Sequence, residues 1–203
     1  MYRSSRSAVL LWRISVAFNF YRMNQTRKVV YLWLLMLPLM LGCSKDDIAP
    51  KNQMLHGGVS YELSKAAVID YGKVDAMETY SLNLYLMSAD IAIQGKNSVP
   101  DSISGKGHLM TFEMYSDKPG ELAEGKYEYD RMQYRNPKTF GPAVAIFNAN
   151  YQTKTGDESP IVAGTLTVSK NEQEYIIDFE CMDKVGKRIN GQFKGGIAYF
   201  RMH

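Results

Sequence analysis

The sequence predicts an all-β domain, a single antiparallel β-barrel or β-sandwich of about nine strands that follows a signal peptide and a tether. Three observations carry this reading. Beyond Cys43, apolar side chains recur at every second position over short runs, the period of a strand with one face buried and the other in water. Clusters of Gly, Pro, Asn and Asp separate these runs and supply the fixed or positive φ that tight turns require. No longer stretch beyond Cys43 repeats its apolar residues at the 3.6-residue helical spacing, and Gly120 to Glu124 offers one turn at most. Short strands, frequent turns and no helices indicate an antiparallel sandwich or barrel.

In chain order, Val59 to Leu63 and Ala67 to Tyr71 are short strand candidates. Tyr80 to Leu86 alternates most cleanly, with Tyr80, Leu82, Leu84 and Leu86 on one face and Ser81, Asn83 and Tyr85 on the other. Met110, Phe112 and Met114 oppose Thr111, Glu113 and Tyr115 in the same way. Lys126 to Asp130 is a further short candidate. Ala145, Phe147, Ala149 and Tyr151 form the next apolar row, followed by Val162, Gly164, Leu166 and Val168. Tyr175 to Cys181 and Ile189 to Phe200 complete the set, the last bringing Phe193, Ile197 and Tyr199 to one side. Tyr71-Gly72-Lys73, Asp117-Lys118-Pro119-Gly120, Lys170-Asn171-Glu172 and Asp183 to Lys187 read as turns. Gly164, Gly191, Gly195 and Gly196 fall inside strand patterns, where glycine marks bulges or sharp coiling; this favours a barrel.

The N-terminal part has a different character. From Met23, Arg27 and Lys28 form a positive start and Val29 to Leu41 an apolar run, shorter than the ~20 residues that cross a bilayer core as a helix. The small Gly42 precedes Cys43, as small residues precede a processing site. Residues 23–42 are therefore expected to be a signal peptide and residues 43–55 a flexible tether with a reach of ~20 Å, leaving residues 56–203 as the β domain. Residues 1–22, with Arg3, Arg6, Arg13 and Arg22 and no acid, are expected to be an upstream extension absent from the native product. An Arg-rich targeting presequence is the alternative.

Leu39-Met40-Leu41-Gly42-Cys43 resembles the lipobox of bacterial lipoproteins, with Met40 where that family usually carries Leu. The resemblance implies acylation of Cys43, cleavage before it and attachment to the membrane. Ser44, Lys45, Asp46 and Asp47 look like the export signal of surface-exposed lipoproteins of the Bacteroidota, which implies display on the outer membrane, facing outward. The stretches Gly164 to Lys170, Glu174 to Phe179 and Gly191 to Ile197 are similar to small lipocalin-like or sandwich lipoproteins of the same group. That likeness implies no catalytic residue.

Charge and cysteine content exclude some classes. The chain has 24 basic and 21 acidic residues, but six of the basic ones and none of the acids precede Cys43, leaving 18 against 21, a net −3. A domain of that sign lacks the basic patch that phosphate backbones demand, so nucleic acid is not an expected partner. Cys43 and Cys181 are the only cysteines; with the first acylated no disulfide framework exists. Cys181 sits in an apolar row and is expected to be buried and unreactive.

Groups suited to catalysis are sparse. His56, His108 and His203 show no metal-ligand spacing, and there is no Gly-x-Ser-x-Gly elbow or Gly-rich phosphate loop. No metal site and no cofactor are expected. Asp70, Asp75 and Glu78 read as solvated turn charges. The one unusual stretch is Gly125 to Phe140, which gathers Tyr127, Tyr129, Arg131, Tyr134, Arg135 and Phe140. Tyr129, Arg131, Tyr134 and Arg135 are the candidate ligand-binding residues, because aromatic rings flanked by donors stack on sugars and anchor interfaces. The bland account packs Tyr127 and Tyr129 on a strand and leaves the rest as solvated loop. The functional expectation is a non-catalytic binding or accessory module for a glycan, peptide or small apolar ligand. A lipoprotein hydrolase and a structural component of an envelope complex are the alternatives.

Overall fold

The structure, a computed structural model, describes residues 52–74 and 76–202. The signal peptide, Cys43 and the Ser44 to Asp47 segment lie outside the described residues, as do Asp75 and His203. Thirteen strands follow one another: β1 (Gln53–His56), β2 (Val59–Glu62), β3 (Lys65–Lys73), β4 (Tyr80–Met87), β5 (Ala92–Lys96), β6 (Val99–Ser104), β7 (Lys106–Ser116), β8 (Gly125–Tyr129), β9 (Thr139–Asn150), β10 (Thr155–Asn171), β11 (Glu174–Asp183), β12 (Arg188–Gly195) and β13 (Ile197–Arg201). The described residues contain no helix.

Eleven strands form one sheet in the order β13-β3-β4-β7-β9-β8-β10-β11-β12-β1-β2, and β5 pairs only with β6. The sheet curls as a half-barrel about a shared core. It is mixed rather than wholly antiparallel, since β13 runs parallel to β3 and β8 parallel to β9. The first exception has a local cause: the predicted last strand breaks at Gly196, so that β12 stays between β11 and β1 while β13 moves to β3. One run of chain thus supplies β13 at one edge of the sheet and β12 third from the other edge.

The sequence reading undercounted strands where alternation is short or polar. β1 occupies Gln53 to His56, the end of the predicted tether. It is fastened by Asn52, whose side-chain amide donates to the Lys194 carbonyl at 2.9 Å and accepts the Lys194 N–H at 2.8 Å. The β5–β6 hairpin turns on Asn97 and Ser98, both at positive φ, the two-residue geometry that matches strand twist. Tyr71-Gly72-Lys73 is no turn. β3 runs through it with a bulge between Asp70 and Gly72, where the Gly72 N–H donates to Asp70 Oδ1 at 2.8 Å. Asp70 is accordingly buried rather than solvated, whereas Glu78 is exposed and pairs with Lys73.

Inward rows from nearly every strand of the large sheet meet in a single core that includes Leu82, Leu84, Met110, Phe112, Tyr127, Phe140, Leu166, Ile177, Phe179 and Phe193. Each such side chain contributes ~1.5–3 kcal/mol by leaving water. Phe112 meets both Phe140 and Phe179 edge-on, with centroids 5.4 and 5.6 Å apart. Two rows deviate from strict alternation. A bulge between Ile161 and Ala163 turns Ile161 inward and leaves Val162 exposed. In β9, Asn148 adopts a positive φ, and Ala149 joins a second, smaller cluster with Ala67, Met87, Ile91 and Leu109 instead of following Phe147. Ile93 and Ile103 of the β5–β6 hairpin pack against that cluster. Cys181 lies in the main core as expected, and burial, with Glu180 beside it, pushes its thiol pKa up to about 12.

Candidate functional site

The aromatic stretch divides into a packed half and an exposed half. Tyr127 takes the inward position on β8, fully buried, and its hydroxyl donates to the Ala123 carbonyl at 2.7 Å. Tyr129 is half-buried and sets its ring edge-on to Phe140 at 5.6 Å. Past β8 the chain folds around Asp130, whose carboxylate accepts the backbone N–H of Met132 at 3.1 Å and of Arg135 at 2.9 Å. Gln133, Arg135 and Lys138 all take positive φ, which costs a non-glycine residue ~1–2 kcal/mol and is held by the surrounding bonds. Arg131, Tyr134 and Arg135 are exposed.

Arg135 returns to the outer face of the sheet. There it lines a groove of about 370 Å³ together with Tyr71, Val74, Ser81, Asn83, Glu113 and Tyr115. The strand register explains the assembly: Asn83 faces Glu113 and Ser81 faces Tyr115 across β4 and β7, so four outward positions on two neighbouring strands form a floor. Tyr115 belongs to the outward row yet is almost wholly buried. Gly141 makes room for it, since a Cβ there would stand 3.3 Å from its ring and hydroxyl. Its hydroxyl donates to Glu113 Oε1 at 2.5 Å. Burial first, then Glu113, pushes the pKa of that hydroxyl up, and the Arg135 guanidinium opposes them. Asn83 Nδ2 donates to the Tyr71 hydroxyl at 3.4 Å, and the Tyr71 ring remains 44% exposed. One concavity therefore offers a half-exposed ring, a guanidinium, a carboxylate, an amide and a hydroxyl.

Sequence reasoning named Arg135 but missed Tyr71, Ser81, Asn83 and Glu113. Their signal was present as outward rows; what it lacked was the register that brings three strands and a distant loop together. Of the other candidates, Tyr129 serves packing, while Arg131 and Tyr134 stand outside the groove's lining.

Two further polar assemblies lie elsewhere. His56 Nε2 is 3.1 Å from Asp183 Oδ2, and Ser159 donates its hydroxyl to the same oxygen at 3.0 Å. Both groups meet Asp183 rather than each other, an arrangement that orients a carboxylate and activates no nucleophile. His56 also stacks on Phe147 at 5.0 Å, and Tyr61 bridges Phe147 and His108. The tertiary fold thus brings into one aromatic cluster two histidines that sequence spacing kept apart. Burial lowers the pKa of His108, and its Nδ1 accepts the Asn148 N–H at 3.1 Å. On the outer face of β10, β11, β12 and β1, cross-strand rows of Thr167, Asp178, Gln192 and Gln53 and of Thr165, Glu180 and Asn190 line a shallow polar trough.

No family model matches the chain, and no solved structure matches it. Among curated proteins it is similar to Probable apyrase 4 of Arabidopsis thaliana, 35% identical over 75 residues that amount to 36% of this chain. The chain spans 14% of the length of that relative.

Proposed function

We propose that this protein is an outer-membrane, surface-exposed lipoprotein that acts as a non-catalytic binding module, holding a glycan, peptide or small apolar ligand on the outside of a barrel-type sheet. The observation that carries the binding reading is the groove under Arg135, where ring, cation, carboxylate and amide converge. Small-molecule sites are typically concavities of ~300–1,000 Å³ with a few placed polar groups. The main core is by contrast filled with side chains. The barrel reading is supported by the β12–β13 run, which places β13 at one edge of the large sheet and β12 third from the other edge.

Membrane attachment rests on the lipobox-like Leu39 to Cys43. Cys43→Ala should abolish labelling by radioactive palmitate and partition into detergent; retained label would reject the anchor. Replacing Lys45, Asp46 and Asp47 by Ala should keep the lipid but protect the domain from protease added to intact cells. Equal digestion with and without the exchange would reject outward display. A hydrolase reading has one favouring observation, Asp178 and Glu180 at adjacent outward positions of β11. Their residues lie ~7 Å apart along one strand, on the same wall of the trough, whereas glycosidase carboxylates flank the bond they cleave.

A further inference from the structure

We infer that the groove formed by Tyr71, Ser81, Asn83, Glu113, Tyr115 and Arg135 recognises a neutral sugar ring, with Tyr71 as its stacking platform and Glu113 and Arg135 as its hydroxyl clamp. The inference rests on the binding-module reading and names the ligand class of that site.

Three features of the groove select this chemistry. The first is charge. Glu113 and Arg135 bring one charge of each sign to the lining. A phosphate or carboxylate that gained from Arg135 would face Glu113, and an amine that gained from Glu113 would face Arg135, so neither ion is favoured. A neutral ligand with hydroxyls uses both, donating to the carboxylate and accepting from the guanidinium. The second is the ring. Tyr71 is 44% exposed at the groove, and its hydroxyl is already engaged by Asn83 Nδ2 at 3.4 Å. Besides that hydroxyl, which accepts the bond and keeps its own proton to donate, it offers a ligand an aromatic ring, which suits the C–H face of a pyranose. The third is order. Tyr115 fixes Glu113 through the 2.5 Å bond, and Asp130 fixes the Arg135 backbone at 2.9 Å. Glu113 is thus set before a ligand arrives and Arg135 reaches the groove from a fixed backbone, which lowers the ordering cost of binding a small ligand. An apolar ligand would take Glu113 and Arg135 out of water and offer them no polar partner beyond the Tyr115 bond on Glu113, which disfavours it.

The test uses the mature lipidated chain in detergent against an array of neutral and acidic oligosaccharides, with ATP, an immobilised random-peptide library and the dye 8-anilinonaphthalene-1-sulfonate as separate arms. Binding to neutral oligosaccharides is expected, weakened about tenfold or more by Tyr71→Ala and by Glu113→Gln, as for a central contact in a small site. Thr167→Ala, in the trough on β10 to β12 and outside the groove, should leave it unchanged. Glu113→Gln keeps the size of the side chain, and an unaltered melting curve for each variant separates lost binding from lost fold. A neutral sugar bound equally by both variants would overturn this site while sparing the binding module. Variant-sensitive binding of ATP, peptide or dye, without sugar binding, would overturn the sugar class and leave the groove. No binding in any arm would overturn both readings.

Discussion

Asp183 is charged, almost inaccessible to water and tied to two parts of the chain at once. Burial alone would raise its pKa. The Lys187 N–H, the Ser159 hydroxyl, His56 and the Val185 N–H more than reverse this and hold the carboxyl below its usual value. A carboxylate with a depressed folded pKa contributes stability above its unfolded value of about 3.9, and loses that contribution as pH falls through the folded value. Urea unfolding should therefore show stability falling steeply below pH 4, and Asp183→Asn should lower stability at pH 7 while flattening that acid limb. An unchanged acid limb in the variant would remove Asp183 from the account. Two tyrosines provide a contrast of burial. Tyr127→Ala empties a fully buried site and orphans the Ala123 carbonyl, and should cost about 2–4 kcal/mol in denaturant unfolding. Tyr134, 61% exposed, should cost under ~0.5 kcal/mol when truncated.

Among the strands, β12 depends most on a missing side chain. Gly191 lies in its inward row opposite Phe179. A Cβ at that position would stand 2.4 Å from the Gln53 carbonyl oxygen, 2.5 Å from Phe179 Cζ and 2.9 Å from Met54 Cα. Two of these atoms belong to the backbone of β1, so the ring cannot solve the clash by moving alone. The absent side chain lets β1 close onto β12 while the Phe179 ring covers the gap, a known way of supporting glycine within a sheet. Gly191→Ala should destabilise the domain by about 1–3 kcal/mol or more through overpacking, read as a lowered denaturation midpoint. Gly196, five residues on, has no atom within 4 Å of its imagined Cβ. Gly196→Ala should be neutral or slightly stabilising, because it restricts only the unfolded chain.

The domain as a whole has one internal reporter of its integrity, Cys181. Its thiol is packed in the main core and its pKa is pushed up to about 12, so that little thiolate exists at neutral pH. Ellman's reagent should leave Cys181 unmodified in the folded protein and react with it after denaturation. Prompt reaction under native conditions would mean that the sheet opens around β11 far more readily than its packing implies. Because Asn52 is clamped to Lys194, residues 52–55 of the expected tether belong to the folded body.

The all-β class was legible because period-two alternation is a property of each strand alone, and Tyr80 to Leu86 or Tyr175 to Cys181 declare an inward face without help from any neighbour. The burial of Cys181 and Tyr127 was readable for the same reason. The strand count was not, since β1 and the β5–β6 hairpin are short or polar and owe their pairing to Asn52, β12 and a two-residue turn. Nor were the two parallel pairs, of which β13–β3 depends on a break at Gly196 that shifts the chain from one neighbour to another. The groove shows the limit most clearly. Tyr71, Asn83, Glu113 and Arg135 come from three strands and a loop, and cross-strand register, set by bulges such as the one at Asp70 and Gly72, is what places them on one surface. Local pattern assigns each residue a face; long-range backbone pairing alone assigns it a neighbour, and a binding site is made of neighbours.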